Sequence, residues 1–414
     1  MVLSKSAKSE CYDIAIVGAG MVGMSFALML AEHNLNWRIL LIESRSKDTY
    51  SGGSGAFFDS RTTALARKSA RILSRIGLDD FLRTQSTPID CIHVSDKGSA
   101  GITRISATDA EVCALGYVVE NRGMSDVLIE MCKDKQIETF FSTSVEELIL
   151  GKAALRLRLK DVATSIKARL LVIADGADSK TAKKLGIRTF TYDDHQTAIV
   201  ANISHQNDHK GVAYERFTTN GHIALLPTSS SQGHYRSSLV WVHTKSEICA
   251  LLEVDDRTFL DKLQDQFGYR SGRFIKVGAK ACYPVRTTLA EEQFRSNIVL
   301  LGNAAHGLTP IAGQGFNLAI RDAACLARVV SAMREKGLDF GALSVLEDYQ
   351  NQQMLDQKMT IEFTLSLPKL FSSKNPSIIN GRNIGLVTMD LIKPFRRHFA
   401  QFGMGFRTSR HCFV

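Results

Sequence analysis

The chain is poor in several features whose scarcity closes off whole classes of protein. Only 7 of its 414 residues are proline, while 44% are hydrophobic and 22% charged. That balance excludes collagen-like, low-complexity and disordered chains. Cysteine is sparse and never clustered: the eight (11, 91, 113, 132, 249, 282, 325 and 412) include no Cys-x-x-Cys pair. A zinc site and a small disulfide scaffold are both excluded, leaving thiols in a reducing cytosol. Long apolar runs are missing as well. Ile14 to Leu30 passes seventeen residues without a charge, but three glycines interrupt it and Glu10 and Asp13 stand just before it. No small-residue cleavage site follows, and a membrane span needs about 20 apolar residues. The expectation is a cytoplasmic protein, soluble or peripheral to the inner face of the membrane. A single core rarely exceeds about 250–300 residues, so two domains are expected.

Positive charge is present but unevenly placed. The net charge is +9, and the segment from Ser366 to Val414 holds eight Lys/Arg against Asp390 alone, a local +7. An acidic partner of that segment is implied, either an anionic membrane surface or a protein assembly. Leu391, Phe395, Phe399, Phe402 and Phe406 recur at steps of three and four residues, with Lys393, Arg396, Arg397, Arg407 and Arg410 between them. A packed terminal helix with a solvated charged face is the plain alternative. Nucleic acid is not the expected partner, because no aromatic reading surface or recognition helix accompanies the charge.

The glycines carry most of the information. Tyr12–Val17 reads as a short buried strand, Gly18-Ala-Gly-Met-Val-Gly23 follows at once, and Met24–Glu32 continues as a helix. Trp37–Ile42 is a second strand, closed by Glu43 twenty residues after Gly23. This is the dinucleotide fingerprint in a βαβ setting. Gly18 allows the tight turn, Gly20 lets the backbone approach a pyrophosphate, and Gly23 lets helix and strand pack. Glu43 is placed to accept hydrogen bonds from a ribose diol. A second glycine site follows the apolar strand Leu170–Ala174, where Asp175-Gly176 reads either as a surface turn or as a ligand edge. The third runs from Asn297–Leu301 into Gly302-Asn303-Ala-Ala-His306 and on to Pro310-Ile-Ala-Gly313-Gln314-Gly315-Phe-Asn317. Two glycines at the start of the next helix bare backbone N–H groups, backed by the positive end of its dipole. A flat, negatively charged heterocycle would be stabilised there.

Between these sites the pattern changes. Ala198–Ser204, Val212–Phe217, His222–Leu226 and Tyr235–His243 are β-rich runs separated by turns, which predicts an inserted antiparallel sheet. The expected fold class is an α/β Rossmann-like dinucleotide-binding domain with an inserted antiparallel β-sheet domain and a helical C-terminus. The expected boundaries are 1–80, 114–190 and 282–365 for the first domain, 81–113 and 191–281 for the second, and 366–414 for the tail.

Taken together, the three glycine sites resemble those of the class A flavoprotein aromatic hydroxylases, in order and spacing over nearly the whole chain. Phe58-Asp-Ser-Arg61 with Thr63-Ala-Leu65, Glu215-Arg-Phe217, Gly302-Asn-Ala-Ala305 and Gly381-Arg-Asn-Ile-Gly385 are similar to the ubiquinone-biosynthesis members. The similarity is greatest to those acting on 2-polyprenyl-6-methoxyphenol. The resemblance implies that the first domain is an FAD-binding domain of the glutathione-reductase type and the inserted sheet a substrate domain, with non-covalent FAD, NADPH or NADH as a transient reductant, O₂ as co-substrate and a prenylated phenol as the oxygen acceptor. It also implies residue roles. Gly18, Gly20, Gly23 and Glu43 would hold the ADP half, with Arg61 near the flavin and Asn121 toward the linker. Asp175 and Gly176 would meet FAD and the nicotinamide. Gly302 and Asn303 would lie at the ribityl chain, and Pro310, Gly313, Gln314, Gly315 and Asn317 along the ring. Relatives often carry Arg where Ala182 stands, so Lys183 and Lys184 are the basic replacements. His306 is read as structural, no metal ligands are expected, and no catalytic side chain is assigned. Two other readings stay open: a different flavin oxidase or hydroxylase, and a non-catalytic prenyl-binding relative.

Overall fold

The computed structural model describes residues 11–33, 35–47, 61–151, 154–162, 165–231 and 233–406. Phe58, Asp59, Ser60, Arg407, Arg410 and Cys412, named above, lie outside the described residues. The first sheet has eight strands, and its centre is parallel. Cys11–Val17 pairs on one side with Ile39–Ile42 and on the other with Ile166–Ile173, which pairs in turn with Ile298–Leu300. Alternate side chains of the first strand serve two cores. Ile14 and Ile16 pack with Phe26 and Leu30 of the Met21–Glu32 helix and with Ile320 and Leu326 of the Gln314–Glu335 helix. Ala15 and Val17 pack on the opposite side with Leu40, Leu157 and Leu171. Burial on both faces is why these strands read as continuous apolar runs rather than as alternation.

The second sheet has nine strands and is largely antiparallel, with Val212–Thr218 paired in parallel to Cys91–Asp96. One face is covered by the helices Lys245–Glu253 and Asp256–Phe267, which bury Ile248, Phe259 and Leu263 against Ile199 and Trp241. All four β-rich runs read from the sequence fall in this sheet. One of them is much longer than its apolar stretch suggests, spanning Thr189–His205. Its first half is polar and is held by pairing with Ala281–Ala290 across an irregularity between Asp193 and Gln196. Hydrogen bonding rather than side-chain pattern makes that half a strand.

A small third sheet joins Thr62–Ala66, Gly116–Glu120 and Ser86–Ile89. Three helices close the described chain: Leu343–Ser372, Pro376–Leu391 and Lys393–Gly403. The aromatic stripe of the tail is not one face of one helix. The chain turns at Ile392 ahead of Pro394, and the stripe divides there. Leu391 and Phe395 are exposed, whereas Phe399 and Phe402 turn inward onto Phe363.

Candidate functional site

The three glycine motifs, far apart in sequence, meet at one edge. Val17 lies beside Ile173 and Ile173 beside Leu300, all in parallel register, so the three strands end side by side. This carboxyl edge is where open α/β sheets bind ligands. At Gly18, φ is +104° and an added Cβ would fall 2.3 Å from the Ala174 carbonyl oxygen. At Gly23 it would fall 2.0 Å from the Gly18 oxygen. Gly20 differs, because its φ is an ordinary −69° and nothing lies within 4 Å of an added Cβ. The protein therefore needs the first and third glycines for its own packing, while the second borders open space.

That open space suits a phosphate. Gly20 caps the Met21–Glu32 helix without any side-chain cap bond, and no acidic residue occupies its first turn. Uncapped N–H groups and the helix dipole favour an anion there. Glu43 is buried, and one carboxylate oxygen accepts the Ala19 amide at 3.0 Å while the other accepts the Arg45 amide at 2.9 Å. It ties the glycine turn to the end of the second strand. Gly176 has φ +96° and likewise faces no neighbour within 4 Å of an added Cβ. Asp175 accepts from the Thr181 hydroxyl at 2.8 Å through one oxygen, and its other oxygen is buried without a hydrogen bond. Ala182 is buried, and neither adjacent lysine copies a guanidinium there. Lys183 faces Asp178 at 3.7 Å, and the Lys184 ammonium donates to the carbonyls of Val145 and Glu146.

A second cluster forms around the Thr62–Ala66 strand. Asn317 donates to the carbonyls of Ala64 and Gly313 and accepts the Ala66 amide at 2.7 Å. Its side chain is thus engaged within the protein and pins that strand to the start of the Gln314–Glu335 helix. Gly313 is left-handed at φ +59°, and an added Cβ would press on Ala64 at 3.2 Å. The Arg61 guanidinium sits over the Tyr283 ring, 4.7 Å from its centroid, and its carbonyl accepts the Asn121 amide. Asn121 also accepts the Thr63 hydroxyl at 2.6 Å. Gly302 packs near Val22 of the first helix, linking the two clusters, while Asn303 and Pro310 are exposed. Gln314 is buried and donates to the Ala312 carbonyl, and an added Cβ at Gly315 would meet Leu308 at an ordinary 3.6 Å.

Beside this loop opens a cavity of about 470 Å³. It extends from Ala312, Gln314 and Asn317, past Ala64 and Leu226, to Phe399 and Met404 of the C-terminal helices. Its walls are apolar apart from a few groups, and among the described residues Glu215 and Arg382 are its only charged lining residues. Sequence reasoning used Glu215 only as part of a resemblance and gave it no role. The available signal was its place in a strand with Ala213 and Phe217 two residues to either side, which puts all three on one face.

Burial pushes the Glu215 carboxyl up from 4.5 to about 8, with the Ala312 amide acting in the opposite direction. Across that window the folded protein keeps a proton that the unfolded chain releases. Stability therefore falls as pH rises from 4.5 to about 8, by at most about 1.4 kcal/mol per pH unit. Glu215→Gln should remove this slope, so that the variant gains on the parent as pH rises. Urea unfolding at several pH values checks it, and parallel slopes would show an ordinary carboxyl.

His306 is fully buried and lies 2.5 Å from Asp322, whose same oxygen accepts from Gln357 at 3.0 Å. It does not line the cavity, in keeping with a structural reading.

A nucleotide-binding edge built from three strand ends, next to an apolar cavity, is the layout of an enzyme that holds a nucleotide cofactor beside an apolar substrate. The chain matches the FAD binding domain family over residues 11–352 and belongs to it. It is a flavin-dependent aromatic monooxygenase, with FAD as its cofactor. Among curated relatives, it is 32% identical over 399 residues to the ubiquinone hydroxylase UbiL of Rhodospirillum rubrum, covering 95% of this chain and 89% of that one. It is 26% identical to the 3-demethoxyubiquinol 3-hydroxylase of Escherichia coli K12, over 95% of this chain and 98% of that one. The crystal structure of p-nitrophenol 4-monooxygenase PnpA from Pseudomonas putida DLL-E4 shares the fold at a TM-score of 0.76 and 18% identity, covering 96% and 99% of the two chains.

Proposed function

We propose that this enzyme hydroxylates the ring of a prenylated phenol in ubiquinone biosynthesis, and specifically that it converts 2-polyprenyl-6-methoxyphenol to 2-polyprenyl-6-methoxy-1,4-benzoquinol. The observation that carries this reading is the cavity, whose one end abuts the Ala312–Gln314 loop and whose other end lies among the C-terminal helices. A phenolic ring fits the first end and an isoprenoid tail the second. The names of the curated relatives support the same substrate class. When bound, FAD takes electrons from NADPH or NADH and activates O₂, one atom of which enters the ring while the other leaves as water. In this reading Gly18, Gly20, Gly23 and Glu43 hold the ADP half. Asp175 and Gly176 meet FAD and the nicotinamide, Gly302 and Asn303 lie at the ribityl chain, and Arg61 lies near the flavin with Asn121 toward the linker. Pro310, Gly313, Gln314 and Gly315 border the ring, and Asn317 fixes their loop. The apolar walls exclude water from the reacting centre.

The same reading seats the C-terminal helices against a lipid surface, where such substrates dissolve. Ile384, Leu391 and Phe395 are 67%, 76% and 58% exposed on the last two of the three helices that wall the cavity. No helix among the described residues is long and apolar enough to cross a membrane. The basic charge contributes less than its count suggests, because Arg382, Arg396 and Arg397 pair with Asp96, Asp109 and Glu111 of the chain itself. The test of function is direct. The purified FAD-loaded enzyme, given NADPH or NADH, ¹⁸O₂ and prenylated methoxyphenols, should yield a quinol carrying one labelled oxygen. Reductant consumption without labelled product from any prenylated phenol would overturn the assignment.

A further inference from the structure

The cavity contains one group whose chemistry nothing so far has used. Glu215 lies at the middle of the Val212–Thr218 strand, opposite Ala224 on one neighbour and Val94 on the other. Neither partner can answer a carboxyl. One of its oxygens is buried without any hydrogen bond. The Ala312 amide faces the carboxyl from the loop proposed to border the flavin ring, so Glu215 stands where that loop and the cavity meet. Among the described residues no charged group acts on it, burial and the Ala312 amide being the influences on its carboxyl. Arg382, the other charged lining residue, is bound to Asp96, and His222 on the adjoining strand is buried and held neutral by desolvation. A polar group left unanswered in an apolar wall is costly unless a ligand completes it.

We propose that Glu215 receives the ring hydroxyl of the phenol, hydrogen-bonding to it and, as carboxylate, taking its proton. The proposal rests on the reading of the cavity as the phenol site. The phenol O–H bond breaks, the proton forms the O–H of the Glu215 carboxylic acid, and the electron pair stays on the phenolate oxygen. That pair raises electron density at the ring carbons ortho and para to it, which is what an incoming electrophilic oxygen requires. After oxygen transfer the former phenolate oxygen is a carbonyl; the ring regains aromaticity by losing its C–H proton to water while that oxygen recovers a proton from Glu215. A base whose affinity for protons is raised toward neutrality is well matched to this exchange.

The experiment has a binding arm and a kinetic arm. In the oxidised, FAD-loaded protein without reductant, the affinity for a prenylated phenol is compared with that for its methyl ether. The parent should favour the phenol by roughly tenfold or more, and Glu215→Leu should abolish the preference. In single-turnover oxygen transfer, the parent rate should rise with pH through one ionisation. Glu215→Gln should be slower by on the order of 10²-fold and flat with pH, with flavin content unchanged. Equal affinity for phenol and ether, or an unchanged pH profile in Glu215→Gln, overturns the role of Glu215 and leaves the substrate assignment standing. Failure of both ligands to bind the parent overturns the assignment itself. Losses that track loss of flavin in Glu215→Gln would show that the residue only holds the loop.

Discussion

Arg382→Ala should lower the unfolding free energy by about 3–5 kcal/mol and weaken the binding of prenylated substrates, with FAD content retained. The side chain is nearly buried and its guanidinium is fully used. It donates to Asp96 at 2.9 and 2.8 Å, and its remaining nitrogen donates to the carbonyls of Leu370, Phe371 and Ser373. Those carbonyls end the Leu343–Ser372 helix, where the helix itself offers them no partner. Removing the guanidinium strands three acceptors and leaves Asp96, 2% exposed, as an unpaired charge. The penalty for an uncompensated buried charge exceeds what the pair contributed when whole. Arg382 also lines the cavity, so the loosened helix junction should raise KM for long-tailed substrates more than for short ones. Arg382→Lys keeps the charge but not the planar fork, and should fall between. Chemical denaturation, together with KM measured against tail length, checks both halves. A variant as stable as the parent would mean that the buried pair contributes nothing net.

The same residue marks the boundary of what the sequence makes legible. Gly381-Arg-Asn-Ile-Gly385 stands out as a motif, but its purpose depends on partners hundreds of positions away. Asn383 accepts the Gly101 amide, and the Leu386 carbonyl accepts the Thr103 hydroxyl, which docks the Pro376–Leu391 helix on the strand Ile102–Ser106. The basic excess of the tail is visible by counting, whereas its neutralisation by Asp96, Asp109 and Glu111 is a tertiary fact. Charge is a property of composition, and pairing is a property of the fold. The glycine sites are legible for the opposite reason. Each is a strand, a turn and a helix start close together in sequence, so much of its geometry is local. Even there, the bonds by which Asn317 holds its loop reach a strand about 250 positions away, which no local pattern shows. Glu215 escaped because a lone carboxyl in a strand acquires meaning only when the space before it is known to be an apolar cavity.

The three opening glycines should fail in two different ways when each is changed to valine. Gly18→Val should give no folded protein, because a side chain would have to hold φ near +104° with its Cβ 2.3 Å from a carbonyl oxygen. The backbone strain alone costs about 1–3 kcal/mol, and the clash falls on main chain that cannot move aside. Gly23→Val should likewise be lost or severely destabilised, since its Cβ would lie 2.0 Å from the Gly18 oxygen and wedge the helix off the strand. Gly20→Val should fold. Its backbone is in an extended conformation that any residue adopts, and nothing stands within 4 Å of the new Cβ. What the valine would occupy is the approach to the uncapped helix start, so this variant should purify as folded protein largely free of FAD. Circular dichroism reports the fold, and the flavin absorbance released on denaturation reports the cofactor. The contrast is informative because the two quantities separate at one position and fall together at the other two. Full FAD occupancy in Gly20→Val would place the pyrophosphate elsewhere, and the phosphate role of this turn would then have to be abandoned.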